Sequence, residues 1–175
     1  CLICSIVSLS VGSSWTTAAT VGVALMGIGT AIGVNPAMTA GAILSGSYFG
    51  DKMSPLSDTT NLAPAMVGTD LYTHIRHMMY TTSVSFGLTL VIEFILGFFY
   101  AGKNVGTESV NTILNTLDAQ FSINPLLLLP PLIIMVLAYK KIAAIPGIAL
   151  GILTAVGLGI IIQGNTFGDI LSVSY

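Results

Sequence analysis

The sequence predicts an all-α, polytopic membrane protein with about four transmembrane helices plus a re-entrant or broken helical hairpin. Three observations predict it. First, of 175 residues 54% are hydrophobic and only 7% charged, with a mean hydropathy of +0.92. Soluble domains carry about 25% charged residues, and a chain this poor in charge cannot cover a water-facing surface. Second, five stretches reach or approach the roughly 20 predominantly apolar residues that cross a bilayer. Third, the few polar residues are gathered rather than spread. The net charge of −2 and the lack of a basic run exclude nucleic acid as a partner.

The elements follow in order. The opening "CLICSIVSLSV" has no charged n-region and no small-residue cleavage site, so it is not a signal peptide. It reads as the end of a membrane segment in a chain that starts inside a larger protein. Cys1 and Cys4 form a C-x-x-C without the βαβ context of a redox motif, and read as small apolar packing residues. Trp15 to Val34 is uncharged and rich in Thr and Gly. Pro36 to Gly50 is opened by Asn35-Pro36 and closed by Asp51. At 1.5 Å per residue such a segment of about 15 residues spans ~22 Å, short of a ~30 Å hydrocarbon core. Met78 to Tyr100 has one charge, Glu93, and Ile142 to Gln163 has none. Pro125 to Tyr139 is again short and carries Pro125, Pro130 and Pro131.

The organisation read from this is one partial transmembrane domain over 1–175, with spans near 15–34, 78–100, 125–139 and 142–163 and a re-entrant segment near 36–64. Short, interrupted segments at membrane depth are tolerated only where they are buried in protein or line a wet cavity, and they are the best pointer to a transport site. Lys140-Lys141, and Lys52 with Arg76, mark cytoplasmic loops; the stretch from Gly102 to Asn124 then faces outside, with a surface helix around Val110, Ile113, Leu114 and Leu117. "GTAIG", "GSYFG" and "GIALG" are G-x-x-x-G patterns that permit close helix approach.

The stretch "FGDKMSPLSDTTNLAP" carries the main candidate site. Asp51, Ser54, Asp58, Thr59, Thr60 and Asn61 supply the carboxylate, hydroxyl and amide oxygens that hard cations prefer. Pro55 and Pro64 are expected to break the helix on both sides and free backbone carbonyls. An exposed loop with Ser57 or Asp58 as an N-cap is the plainer reading. Burial raises the pKa of a carboxyl and neighbouring carboxyls split their titration, so such a pair can exchange protons near neutral pH. Asp51 and Asp58 are thus expected to bind sodium and protons in competition, with Lys52 neutralising an empty site or marking the cytoplasmic face.

Three further groups stand out. In "GSSWTTAAT", Ser13, Ser14, Trp15, Thr16 and Thr17 either line the cavity at a helix break near Gly12-Ser13-Ser14 or bond back to their own turn. Glu93, alone in a span, is either structural or part of a proton path. His74 and His77 sit three apart without a third ligand, and "THIRHMMY" reads as a polar helix start with Thr73 as cap. No G-x-S-x-G or H-E-x-x-H motif supports an enzyme.

The block "GDKMSPLSDTTNLAPAMVGTDLYTHIRHMMYTT", with "GSSWTTAATVGVALMGIG" before it and "INPLLLLPPLIIMVLAYKKIAAIPGI" after it, resembles the NhaC-type sodium/proton antiporter family. The resemblance implies a multi-pass transporter of the cell membrane, built from inverted halves with re-entrant hairpins. It implies sodium and protons as substrates, no cofactor, and a chain of about half the full length whose other half is a partner. It puts the family's polar signature on Asp51, Ser54, Asp58, Thr59, Thr60 and Asn61, and its upstream Ser-Trp block on Ser13 to Thr17, where Thr16 stands in place of the usual glycine. Some members exchange malate with protons for lactate with sodium, which is the alternative function. Self-association into a homo-oligomer stays open.

Overall fold

A computed structural model describes residues 1–100, 115, 124–142, 144–164, 166, 168 and 172, and every regular element among them is a helix. The chain divides into two compact units, Cys1–Val110 and Asn111–Tyr175.

In the first unit α1 (Leu2–Val11) stops at Gly12, which is left-handed with φ 74°. A Cβ at Gly12 would stand 2.7 Å from Leu56, so glycine serves both the turn and the close approach. Ser13 is extended, and its Oγ accepts from the Thr16 amide at 3.3 Å, capping α2 (Ser14–Thr17). A π-helical stretch, Ala18–Gly22, and α3 (Val23–Ala31) continue the same run. The stretch expected as a span over 15–34 is helical from Ser14 to Ala31, and it passes through a π segment. The break lies at Gly12-Ser13, upstream of Trp15, and Thr16 is accommodated within the helix.

Gly33, at φ 77°, and the Asn35 side chain, accepting from the Ala37 amide at 2.9 Å, reset the chain for α4 (Pro36–Met53). Here the sequence expectation needs correcting. The helix does not close at Asp51 but carries 18 residues through Asp51 and Lys52, for a length of ~27 Å. A charged residue does not end a helix; the stop comes from Pro55, which forces Ser54 out of helical geometry to φ −80°, ψ 127°. Helix α5 (Asp58–Val67) then starts from Ser57, whose Oγ accepts from the Thr60 amide at 3.4 Å. Pro64 sits inside α5 and does not break it, a second correction: the helix runs on to left-handed Gly68. Helix α6 (Leu71–Tyr100) begins seven residues before the expected span and is capped by Asp70, not Thr73. The Asp70 carboxylate accepts from the Thr73 amide at 3.0 Å and from its hydroxyl at 3.2 Å.

The core of this unit is built from small residues. Cys4, Ser8 and Ser47 are fully buried between α1 and α4, whereas Phe94, Phe98 and Phe99 stand exposed. Cβ atoms at Gly46 and Gly50 would collide with the α1 backbone at Cys1 and Ser5. Small residues inside and large apolar residues outside suit helix packing in lipid. Of the other two G-x-x-x-G pairs, Gly29 abuts Thr39 while Gly33 is a helix-end residue, and Gly151 abuts Ile134.

In the second unit a 3-10 turn, Pro125–Leu128, capped by Asn124, leads into α7 (Leu129–Tyr139), and α8 (Ala144–Gln163) packs back on α7. Pro130 and Pro131 occupy the first turn of α7, where no helical amide bond is lost. Helical structure covers 125–139 and 144–163, where spans were expected over 125–139 and 142–163. Among the described residues two helices are long and apolar enough to cross a membrane, Leu71–Phe99 and Ile145–Gln163. The surface helix expected around Val110 to Leu117 lies outside the described residues.

Candidate functional site

Two chain interruptions meet in the first unit. One is Gly12-Ser13, between α1 and α2; the other is Ser54 to Ser57, between α4 and α5. They are tied directly: the Ser54 hydroxyl donates to the Leu9 carbonyl at 2.8 Å, and Gly12 packs on Leu56. Along the adjoining helices the Ser8 hydroxyl donates to the Ser47 carbonyl at 2.6 Å.

Asp51 sits beside this crossing on the last turn of α4. Its Oδ2 accepts from the Ser14 hydroxyl at 2.8 Å. Its Oδ1 is buried and has no partner among the described residues, and the same holds for the Ser47 hydroxyl one helical turn earlier. A buried carboxylate oxygen without a donor costs more than the roughly 1–3 kcal/mol of a neutral group. Two orphaned oxygens spaced i, i+4 on one helix face are the arrangement a bound cation or proton would satisfy. The crossing is braced by Thr60, whose hydroxyl donates to the carbonyls of Asp51 and Lys52 at 3.3 Å each.

The remaining expected residues fall into separate places. Ser57 and Thr59 hydroxyls lie 3.0 Å apart, and the Asn61 amide donates to the carbonyls of Pro55 at 2.8 Å and Ser57 at 2.6 Å, closing the α4–α5 turn. Asp58 is exposed in the first turn of α5, accepting from the Thr59 amide at 2.8 Å, a favourable position against the helix dipole. It does not share the burial of Asp51. In the Ser-Trp block the hydroxyls divide between their own turn and the neighbouring helix. Thr16 and Thr17 bond back to Ser13, while Ser14 reaches across to Asp51. Trp15 is 79% exposed. Glu93 lines a different cavity, of about 760 Å³ and mostly apolar, with Ile28, Ile43 and Leu96. Among the described residues no group of three or more His, Cys, Asp or Glu could hold a metal.

Ser47 is a residue of this candidate site that the sequence reading missed. Its signal was its position four residues before Asp51, which mattered only once α4 was known to include Asp51.

Interrupted helices that meet at a half-satisfied carboxylate within an apolar bundle are an arrangement found at transport sites of membrane proteins. The comparisons with known proteins agree. The Na+/H+ antiporter family model matches residues 46–175. The chain is 49% identical over 94% of its length to the Na(+)/H(+) antiporter NhaC of Alkalihalophilus pseudofirmus, covering 35% of that protein. It is 40% identical over 99% of its length to the arginine/ornithine antiporter ArcD of Halobacterium salinarum, covering 36% of it. It is 36% identical over 99% to the malate-2H(+)/Na(+)-lactate antiporter of Bacillus subtilis, covering 37% of it. The chain belongs to the Na+/H+ antiporter family. It spans about a third of the length of these relatives. No solved structure matches it.

Proposed function

We propose that this chain is the part of a cell-membrane sodium/proton antiporter that carries the shared ion site, and that Asp51 is the group for which sodium and protons compete. The observation that carries the reading is the buried, unpartnered Asp51 Oδ1 beside the unpartnered Ser47 hydroxyl. Sodium would take both oxygens as ligands; a proton on Asp51 would turn its carboxyl into a donor and remove the charge. Either occupant satisfies the site, and both cannot occupy it at once. Exposure of that one site to each side in turn is sufficient for exchange.

In this reading Ser14 orients the carboxylate, and Ser54, Thr60 and Asn61 hold the α4–α5 turn at the site. Asp58 and Thr59 stand at its mouth, where an exposed carboxylate raises the local cation concentration. Ser13, Thr16 and Thr17 build the break opposite, and Trp15 meets lipid or the rest of the transporter. Glu93 serves a proton path only if the 760 Å³ cavity is wet. The run from Ser14 to Ala31 and the pair of 3-10 turn and α7 complete a set of four spans, with α4–α5 as the interrupted hairpin.

The relatives' stated activities share antiport but not cargo. Sodium with protons is favoured because the site supplies oxygen ligands and one carboxylate. The test is sodium-driven pH change in vesicles holding the whole protein. Asp51→Asn is expected to lower exchange at least 100-fold and Asp58→Asn by less than tenfold. Full exchange in Asp51→Asn sinks the proposal. Uptake of labelled malate or lactate without any sodium-driven pH change would favour organic-acid exchange.

A further inference from the structure

The run from Ser14 to Ala31 touches one face of α4 at three levels. Ser14 meets Asp51, its hydroxyl donating at 2.8 Å. Gly22 meets Ile43, where an added Cβ would stand 2.7 Å from Cγ2, and Gly29 meets Thr39, at 2.8 Å from Oγ1. On α4 these partners and Ser47 form a single row, Thr39, Ile43, Ser47 and Asp51, each four residues from the next. On the facing run the spacing is uneven. Gly22 and Gly29 are seven residues apart, close to two α-helical turns of about 3.6 residues. Ser14 and Gly22 are eight apart. In an unbroken α-helix that spacing sets them about 80° apart around the axis, and Val21, not Gly22, would come against Ile43. The π-helical stretch Ala18–Gly22 lies between Ser14 and that seat. Its i→i+5 winding takes in about one residue more than an α turn, so Ser14 and Gly22 come onto the same side. Gly22 is buried and Val21 half-buried, as that requires.

We propose that the π turn is a two-state positioning element for the Asp51 site: wound as π it holds Ser14 on Asp51 while Gly22 stays on Ile43, and rewound as α it turns Ser14 off Asp51. The inference rests on the reading of Asp51 given above. π winding is rare and occurs mostly as such single turns within α-helices. Here the Ser14–Asp51 bond and the Gly22–Ile43 seat together favour it. When the carboxylate releases Ser14, one seat remains, and plain α-helix satisfies it. Rewinding turns Ser14–Thr17 by about 100° and moves it by about 1.5 Å relative to α3. The left-handed Gly12 and extended Ser13 let this short segment turn without carrying α1 along. Trp15 and Thr16 turn with it, so a change at one carboxylate reaches the outside of the helix.

Deleting Val21 from the whole protein separates winding from contact. Ser14 and Gly22 then stand seven residues apart, and plain α-helix keeps both seats. The deletion variant is expected to melt at or above the wild-type temperature in detergent and to keep its stabilisation by sodium. Sodium-driven exchange in vesicles is expected to fall about tenfold or more at saturating sodium, with the half-saturating concentration changed by less than about threefold. Deleting Ala19 instead should have the same effects. Val21→Ala keeps the eight-residue spacing and should exchange like the wild type. A deletion variant that melts well below the wild type, or no longer responds to sodium, overturns the inference, because both seats were not kept. Full turnover in the deletion variant overturns it as well, since the π turn is then a static fit between two helices. So does lost turnover in Val21→Ala, which would assign the effect to a side chain rather than to winding. The Asp51 reading fails on a different result: sodium stabilisation that survives Asp51→Asn.

Discussion

Asp51 accepts a hydrogen bond at one carboxylate oxygen and leaves the other buried without one. The two hydroxyls near it should therefore respond to mutation in opposite ways. Ser14 donates to the charged group, and such a bond contributes about 1.5–3 kcal/mol. Ser14→Ala is expected to lower stability by that amount and to raise the sodium concentration for half-maximal exchange. The Ser47 hydroxyl has no partner among the described residues, so Ser47→Ala should leave stability level or slightly higher. It should still raise the sodium requirement, because a ligand has gone. Thermal unfolding in detergent beside sodium titration of exchange reads both quantities. A Ser47→Ala protein with unchanged sodium dependence would remove Ser47 from the site.

The elements are positioned by where side chains are missing. Gly46 and Gly50 let the backbone of α1 lie against α4, and α1 in turn brings the Gly12-Ser13 break to the α4–α5 turn. At Gly50 an added Cβ would stand 2.7 Å from the Leu9 amide nitrogen, a backbone atom that cannot swing aside. Gly50→Ala should cost about 1–3 kcal/mol as overpacking and displace Ser14 from Asp51, lowering exchange as well. Gly87→Ala, on α6 with nothing within 4 Å, should instead stabilise by about 0.5–1 kcal/mol because alanine loses less backbone freedom in a helix. The two variants, melted side by side, test whether the α1–α4 seat holds the site. Equal melting temperatures would refute it. Ser57→Ala removes the α5 cap and should cost about 1 kcal/mol.

Among the described residues many large apolar side chains are exposed and many small polar ones are buried. Leu62, Met66, Phe94, Phe98 and Ile161 are each more than 60% exposed, while Ser8, Thr17, Ser47, Ser54 and Ser57 are wholly buried. Such a chain is expected to stay with the membrane pellet after an alkaline carbonate wash; release into the supernatant would count against a bilayer setting. The lysine distribution fixes the expected orientation. Alkaline phosphatase fused in the 102–124 stretch should be active, and fused at Lys140-Lys141 inactive, with the reverse pattern inverting the topology.

Much of this was legible before any coordinates. Proline and glycine punctuate a chain locally, through forbidden dihedrals and left-handed turns, so Asn35-Pro36, Gly12-Ser13-Ser14 and Pro125 marked boundaries that the fold keeps. The resemblance carried by the Gly50–Thr82 block also held, because a long polar motif in an apolar chain is specific. The C-terminal end of α4 was misread, since a charged pair looked like an exit from the bilayer when one of its members faces a neighbouring helix. Which oxygens gather could not be read along the chain. Ser14 and Asp51 are 37 residues apart, Leu9 and Ser54 45, and their meeting depends on how closely two glycines let α1 approach α4. Composition and local stereochemistry determined that this is a membrane helix protein with interrupted segments. Only packing between helices decided that Asp51, and not Asp58, is the carboxylate buried with an oxygen to spare.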